Sequence, residues 1–292
     1  MSVRNAEILA SQRCGVVSRT AFTGKQPEVN LSERRTGGEN MELLTNRSGI
    51  WLQIYAQEQK GLPDLQIAAA IDLFHSIGGD FYSVYNLPGK RVGVVIADVC
   101  GKDDWAAGMV EFIRTALYRK IANDLYSGQI LKLLNDELSG LLPEDRFATM
   151  FLGIYDTVAR RLEYASAGHP AGLMIHKDGS RSHLKSTGPG LGIMPDMSFG
   201  TDRIRVSGND LLVLYTDGYG IDLEQGYLNE KAERVLNMIE KNRHHPVPDL
   251  VGFVQNDMLE QTDADTLEDD RTIMIMRFGA GLRPQPYASK TV

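Results

Sequence analysis

Four short apolar or glycine-rich segments of this chain each meet an aspartate at one end, and that pattern narrows the folds open to it. Val94 to Ala97 runs into Asp98, Leu211 to Thr216 into Asp217, and Ile77-Gly78-Gly79 into Asp80. Asp269-Asp270 opens the run Thr272 to Phe278. Apolar runs this short, bounded by polar or glycine residues, suit strands covered on both faces. A carboxylate at the end of a buried strand is costly unless something neutralises it. Four such ends brought together repel one another and call for cations between them. Ligands that are all oxygen favour magnesium or manganese over zinc.

The remaining pattern alternates strands with paired helices. Leu65 to Phe74 reads as a strand, as do Thr149 to Asp156 and Arg161 to Ser166, which form a hairpin continued by Ala171 to His176. Ile204 to Val206 and Leu211 to Thr216 read as strands either side of a Ser207–Asp210 turn. Ala106 to Tyr126 and Gln129 to Leu142 carry apolar residues at helical spacing and are broken at Ser127-Gly128. Glu230 to Lys241 and the stretch near Asp249 to Leu259 are further helices. Strands in batches with helices between them predict an α+β protein with antiparallel sheets. Residues 20–40 are polar and aperiodic, and Leu43, Leu44, Ile50, Trp51, Ile54 and Tyr55 predict a helix over Met41–Lys60. The expected organisation is therefore an arm and leader helix over 1–60, a main domain over 61–279 and a tail over 280–292.

Composition excludes several classes. No stretch approaches the roughly 20 apolar residues that a membrane span needs, and the N-terminus lacks the pattern of a secretory signal. The only cysteines, Cys14 and Cys100, suit a reducing compartment, so a cytoplasmic location is expected. Net charge is −7, and the first 60 residues hold 8 Lys/Arg against 6 Asp/Glu, so the acidic excess lies in the rest of the chain. An acidic body argues against nucleic acid as the main partner.

The aspartates also sit inside a series of motifs. In order these are Gly78-Gly79-Asp80-Phe81-Tyr82, Asp98-Val99-Cys100-Gly101-Lys102, Phe147-Ala148-Thr149-Met150, Ser166-Ala167-Gly168-His169-Pro170, Leu214-Tyr215-Thr216-Asp217-Gly218 and Asp269-Asp270-Arg271-Thr272. Taken together the series resembles the PPM-type metal-dependent protein phosphatases, and within them the bacterial SpoIIE/RsbU-like branch. The resemblance implies two packed antiparallel β-sheets flanked by helices, an αββα sandwich with its metals at one end. It implies two Mn²⁺ or Mg²⁺ ions, with Asp98 between them, the Val99 carbonyl beside it, Asp80 toward one ion and Asp217 and Asp269 toward the other. Asp98 and Asp217 would then act through a water activated by the ions. Asp270, Gly218 and His169 are expected to support the site rather than reach an ion. His169 could instead donate a proton to the leaving oxygen.

The implied activity is hydrolysis of phosphoserine or phosphothreonine on a protein, in this branch an anti-anti-sigma regulator of STAS type. Two other functions stay open: a catalytically silent module that binds a phosphoprotein, and a phosphatase of small phosphomonoesters. In the resembling phosphatases the helix pair corresponding to residues 106–142 acts as a switch. An exposed apolar face on the Met41–Lys60 helix would pack on its own domain, pair with a second copy as a homodimer, or receive an activator. Two departures from the family pattern stand out. Asp103 replaces a glycine after Lys102, and Ile221 replaces a glutamate after Asp217. Neither removes an expected ligand. His75 and His244-His245 lack metal-ligand spacing, and Cys100 stands where serine is common.

Overall fold

The computed structural model describes residues 40–45, 51–58, 65–73, 78–143, 145–219, 230–261 and 269–279. His75, Ile221 and the expected arm over 20–39 lie outside them. Twelve strands are described: β1 Asn40–Thr45, β2 Trp51–Glu58, β3 Gln66–Asp72, β4 Asp80–Leu87, β5 Arg91–Val99, β6 Ala148–Asp156, β7 Arg161–Ala167, β8 Gly172–Ile175, β9 Arg181–Leu184, β10 Asp202–Arg205, β11 Leu211–Tyr215 and β12 Arg271–Arg277. The helices are α1 Asp104–Ile121, α2 Ser127–Leu138, α3 Glu230–Lys241 and α4 Val247–Gln261. One sheet has seven strands in the order β1-β2-β3-β12-β11-β8-β9, and the other has five in the order β10-β7-β6-β5-β4. Every ladder between named strands is antiparallel.

The layering follows from side-chain alternation along strands buried on both faces. In β5, Val92, Val94 and Ile96 point to a core shared with Leu212, Leu214, Met274 and Met276 of the other sheet. Val95, Ala97 and Val99 point the opposite way, into a cluster with Ile113 and Leu117 of α1 and Ile130 and Leu134 of α2. Val213, Ile273 and Ile275 likewise face Val235 and Leu236 of α3 and Val251 and Val254 of α4. The result is the expected α+β sandwich, with helices outside two packed sheets. Burying a Val, Leu or Ile side chain of this kind contributes about 1.5–3 kcal/mol, which is why a near-continuous apolar run such as β5 is held at the centre. Among the described residues no helix is long and apolar enough to cross a membrane.

Three expectations need correction. The helix over Met41–Lys60 does not form: β1 and β2 are antiparallel strands, and β2 pairs with β3 through Tyr55↔Ala69 and Glu58↔Gln66. Short apolar runs fit either period, while Trp51, Ile54 and Tyr55 favour strand and Ser48-Gly49 interrupts any helix. The helical face on which the homodimer expectation rested is therefore absent. Second, β8 does not extend the β6–β7 hairpin but crosses to the other sheet, beside β11. The Ser207–Asp210 turn forms where expected, and it joins β10 of one sheet to β11 of the other. Asp210 builds it by accepting from the backbone N–H groups of Ser207 (2.7 Å) and Lys177 (2.9 Å). Third, the helix break falls earlier than expected, since α1 ends at Ile121 and Ser127-Gly128 open α2.

Candidate metal centre

Pairing of β4 with β5 sets Asp80 directly across from Asp98, and pairing of β5 with β6 sets Asp98 across from Thr149. The two carboxylates thus share one end of the five-stranded sheet. Close approach of a second loop explains the glycines before Asp80. A Cβ on Gly78 would run into the Asp270 carboxylate, and one on Gly79 into the Val99 carbonyl. With that space clear, the Gly79 N–H donates to Asp270 Oδ2 at 2.8 Å, and the Val99 N–H donates to the Gly79 carbonyl at 3.1 Å.

The seven-stranded sheet contributes the other side. β11 and β12 pair up to Tyr215↔Ile273, and just beyond them Thr216 and Thr272 both donate hydroxyl hydrogen bonds to Asp80 Oδ2 at 2.7 Å. The Thr216 hydroxyl also accepts from the Thr272 N–H at 2.9 Å. Asp80, only 6% exposed, is in this way tied to both sheets. Asp217 then opens a single 3-10 turn, Asp217–Tyr219, and is solvent-exposed. A Cβ on Gly218 would collide with the Asp270 carbonyl, so the two loops touch through that glycine. Asp269 Oδ1 accepts from the Asp270 N–H at 2.9 Å and meets Lys102 Nζ at 3.0 Å. Just after this loop, Arg271 lies 3.4 Å from Asp72, a buried pair in which burial pushes the Asp72 carboxyl up to about 6 despite the guanidinium.

Electrostatics follow from this crowding. Burial raises the Asp98 carboxyl to about 7, helped by the charges of Asp217, Asp269 and Asp270 and opposed by Lys102. Burial and the neighbouring Asp98 charge hold Asp80 well above the usual carboxylate range, against the two threonine hydroxyls. Asp217, though its carboxylate reaches solvent, is raised by partial desolvation against the crowded loops and then by the Asp269 charge. His169 is 3% exposed, with Nδ1 2.8 Å from the Thr149 hydroxyl, and burial pushes its ring down to about 3. It stands behind Asp98, through Thr149, as a neutral imidazole.

All five aspartates thus come together at the meeting of the two sheets. Among the described residues, no three Asp, Glu, His or Cys side chains close on a single point tightly enough to hold an ion. The donor chemistry nevertheless fits a hard divalent cation: the donors are oxygens of like-charged carboxylates, and one of these, Asp98, is pushed up by burial and by its neighbours. Lys102 holds Asp269 in an ion pair, and carboxylates that rotate about their side-chain bonds can turn toward a cation. Four residues that touch these aspartates or their loops carry no role in the sequence reading. Thr216 and Thr272 stand within the quoted motifs, so their presence there was the available signal. Lys102 also stands in one, whereas Arg146, which donates to Asp103 and the Cys100 carbonyl in the loop after Asp98, stands one residue before Phe147 and outside any.

Residues 88–279 match the family model described as Stage II sporulation protein E (SpoIIE). Protein IcfG of Synechocystis sp. is 31% identical over 187 residues, which is 54% of this chain and 30% of that protein. Phosphoserine phosphatase RsbP of Bacillus subtilis is 25% identical over 216 residues, 73% of this chain and 52% of that protein. The chain therefore spans about half or less of the length of these two relatives. The crystal structure of the RsbU and RsbW domains of Rv1364c from Mycobacterium tuberculosis superposes with a TM-score of 0.63 at 25% identity, covering 75% of this chain and 61% of that one.

Proposed function

The chain belongs to the SpoIIE family, and from that premise we propose that it is a divalent-metal-dependent phosphatase of phosphoserine or phosphothreonine on a protein. The observation that carries this reading is the group of like charges around Asp98. A carboxylate raised to about 7 by burial and by Asp217, Asp269 and Asp270 is a site whose electrostatics favour a bound divalent cation. The catalytic unit in this reading is residues 61–279, with β1 and β2 added to its seven-stranded sheet.

We assign Asp98, Asp217 and Asp269, with the Val99 carbonyl, to holding two Mn²⁺ or Mg²⁺ ions. Ions held by these residues would supply Lewis-acid activation of a water and charge compensation for the phosphoryl oxygens. Asp80 Oδ2 is occupied by two hydroxyls, so any contribution of Asp80 to an ion falls to Oδ1. Asp270 orients the Gly79 backbone through its carboxylate, and Gly218 lets the Asp217 and Asp269 loops meet. His169 holds Thr149 opposite Asp98. Burial keeps its ring neutral near pH 7, which favours this structural role over proton donation.

The likeness to a phosphoserine phosphatase favours phosphoserine, and the family resemblance favours a STAS-type regulatory protein as its carrier. The test is turnover of a phosphoserine protein with and without Mn²⁺, in the natural protein and in Asp98→Asn. Mn²⁺-dependent release of phosphate, lost in Asp98→Asn, supports the reading. Binding without release would mark a silent phosphoprotein-binding module, and faster turnover of a free phosphomonoester would mark a small-molecule phosphatase.

A further inference from the structure

The loop that follows Asp98 is held from the β6 side by one guanidinium. Arg146 forks onto Asp103, donating from Nη1 to Oδ1 at 3.0 Å and from Nη2 to Oδ2 at 2.8 Å. Nη1 also reaches the Cys100 carbonyl at 3.4 Å, and the guanidinium carbon lies 4.6 Å from the centre of the Trp105 ring. One residue on, the Phe147 carbonyl accepts from the Cys100 N–H at 2.9 Å. Gly101 sits inside this grip with φ of +118°, and a Cβ there would strike Arg146 Nη1. Asp103 has a second task, capping α1 by accepting from the Ala106 N–H at 3.0 Å. The aspartate that departs from the family glycine is therefore the residue joining the Asp98 loop, α1 and the start of β6.

We infer that Arg146, through Asp103 and the Cys100 carbonyl, is a positioning residue that fixes the Val99–Lys102 backbone for cation binding at Asp98. The inference rests on the metal-site reading given above. A planar fork with two parallel bonds defines orientation as well as distance, which a single-point ammonium cannot do. Stacking on Trp105 holds the guanidinium plane, and Gly101 supplies the positive φ that lets the chain turn beneath it. Asp103 and Arg146 are partly solvent-exposed, so the pair matters for geometry more than for global stability.

The experiment uses the whole chain in four variants: Arg146→Ala, Arg146→Lys, Asp103→Ser, which keeps a capping oxygen but no carboxylate, and Lys132→Ala as a control on the exposed face of α2. Two quantities are read, amide hydrogen exchange of residues 100–103 in metal-free protein and the Mn²⁺ dissociation constant by calorimetry. Arg146→Ala and Asp103→Ser should speed exchange in that loop and weaken Mn²⁺ on the order of tenfold, the scale seen when a group supporting a metal ligand is lost. Arg146→Lys should fall between these and the natural protein, and the control should match the natural protein. Unchanged loop exchange and an unchanged Mn²⁺ constant in Arg146→Ala, even with a lower melting temperature, would overturn the inference. Should Arg146→Ala fail to fold, Arg146→Lys and Asp103→Ser decide by the same readings. If the natural protein takes up no Mn²⁺, the phosphatase reading fails, while loop exchange alone still supports or overturns the clamp.

Discussion

Lys102 Nζ lies 3.0 Å from Asp269 Oδ1, so a cation carried on the loop after β5 neutralises a carboxylate at the entrance to β12. The contact spans the two sheets and also opposes the raised carboxyls of Asp98 and Asp217. In effect Lys102 brings a positive charge to a cluster of five aspartates.

Removing that charge has a definite expected sign. Lys102→Gln should lower the melting temperature of metal-free protein, because the carboxylates lose their counter-charge. It should tighten Mn²⁺ binding several-fold, because Asp269 no longer has to leave an ammonium. Calorimetric titration at low ionic strength reads both effects, and high salt should shrink them. Weaker Mn²⁺ binding in Lys102→Gln would show that the lysine helps to hold the cation site in shape.

Asp98→Asn should abolish Mn²⁺-dependent turnover while raising the metal-free melting temperature. Folding raises the Asp98 carboxyl from 3.8 to about 7, so the folded state holds its proton at pH values where the unfolded chain has lost it. That contribution is fully present below about pH 4 and is lost as pH rises through about 7. Metal-free protein should therefore lose stability between about pH 4 and 7, and Asp98→Asn should flatten the slope. Denaturant midpoints across this range check it; equal slopes in the two proteins would contradict the burial of an ionisable Asp98.

His169 acts with the opposite sign. Its ring is pushed down to about 3 in the folded protein, whereas an unfolded histidine takes up a proton near pH 6.5. Stability from this group is present above about 6.5 and lost as pH falls toward 3. His169→Ala should cost about 2–4 kcal/mol for lost packing and for the Thr149 contact, remove this acid sensitivity, and leave the shape of the pH–rate curve unchanged. Loss of one limb of that curve with stability intact would instead identify a proton donor.

The two threonines above Asp80 are not equivalent. Each donates to Asp80 Oδ2 at 2.7 Å, but only the Thr216 hydroxyl also accepts a backbone N–H, from Thr272 at 2.9 Å. Thr272→Val removes one bond to a buried carboxylate, at a cost of about 1–3 kcal/mol. Thr216→Val removes a bond and also strands a buried N–H, so it should cost more. Chemical denaturation of the two variants and their double mutant tests this, with a less-than-additive double mutant expected because both act through Asp80.

The strands β5, β11 and β12 were legible from sequence because burial on both faces leaves a continuous apolar run, whereas β4, which begins at Asp80, is half-buried and shows no such run. β5 and β11 are the plain cases, and the helices α1 to α4 were visible through their apolar spacing. Over Met41–Lys60 a short apolar run fits both periods, and the pairing of β2 with β1 and β3 makes it strand. Sheet membership was likewise hidden. Nothing local to β8 or β10 says which sheet each joins.

The candidate site divides along the same line. Residue types and their order along the chain determined which carboxylates could gather, since an aspartate at the end of a buried strand needs a counter-charge wherever that strand lies. Only the tertiary structure decided that Asp80 lies under two threonine hydroxyls, that Lys102 reaches Asp269, and that Arg146 locks the Asp98 loop through Asp103. Thr216 and Thr272 stand 136 and 192 residues from Asp80. A hydrogen bond acts over about 3 Å, so such partners are set by how the two sheets pack, and sequence neighbours carry no trace of it.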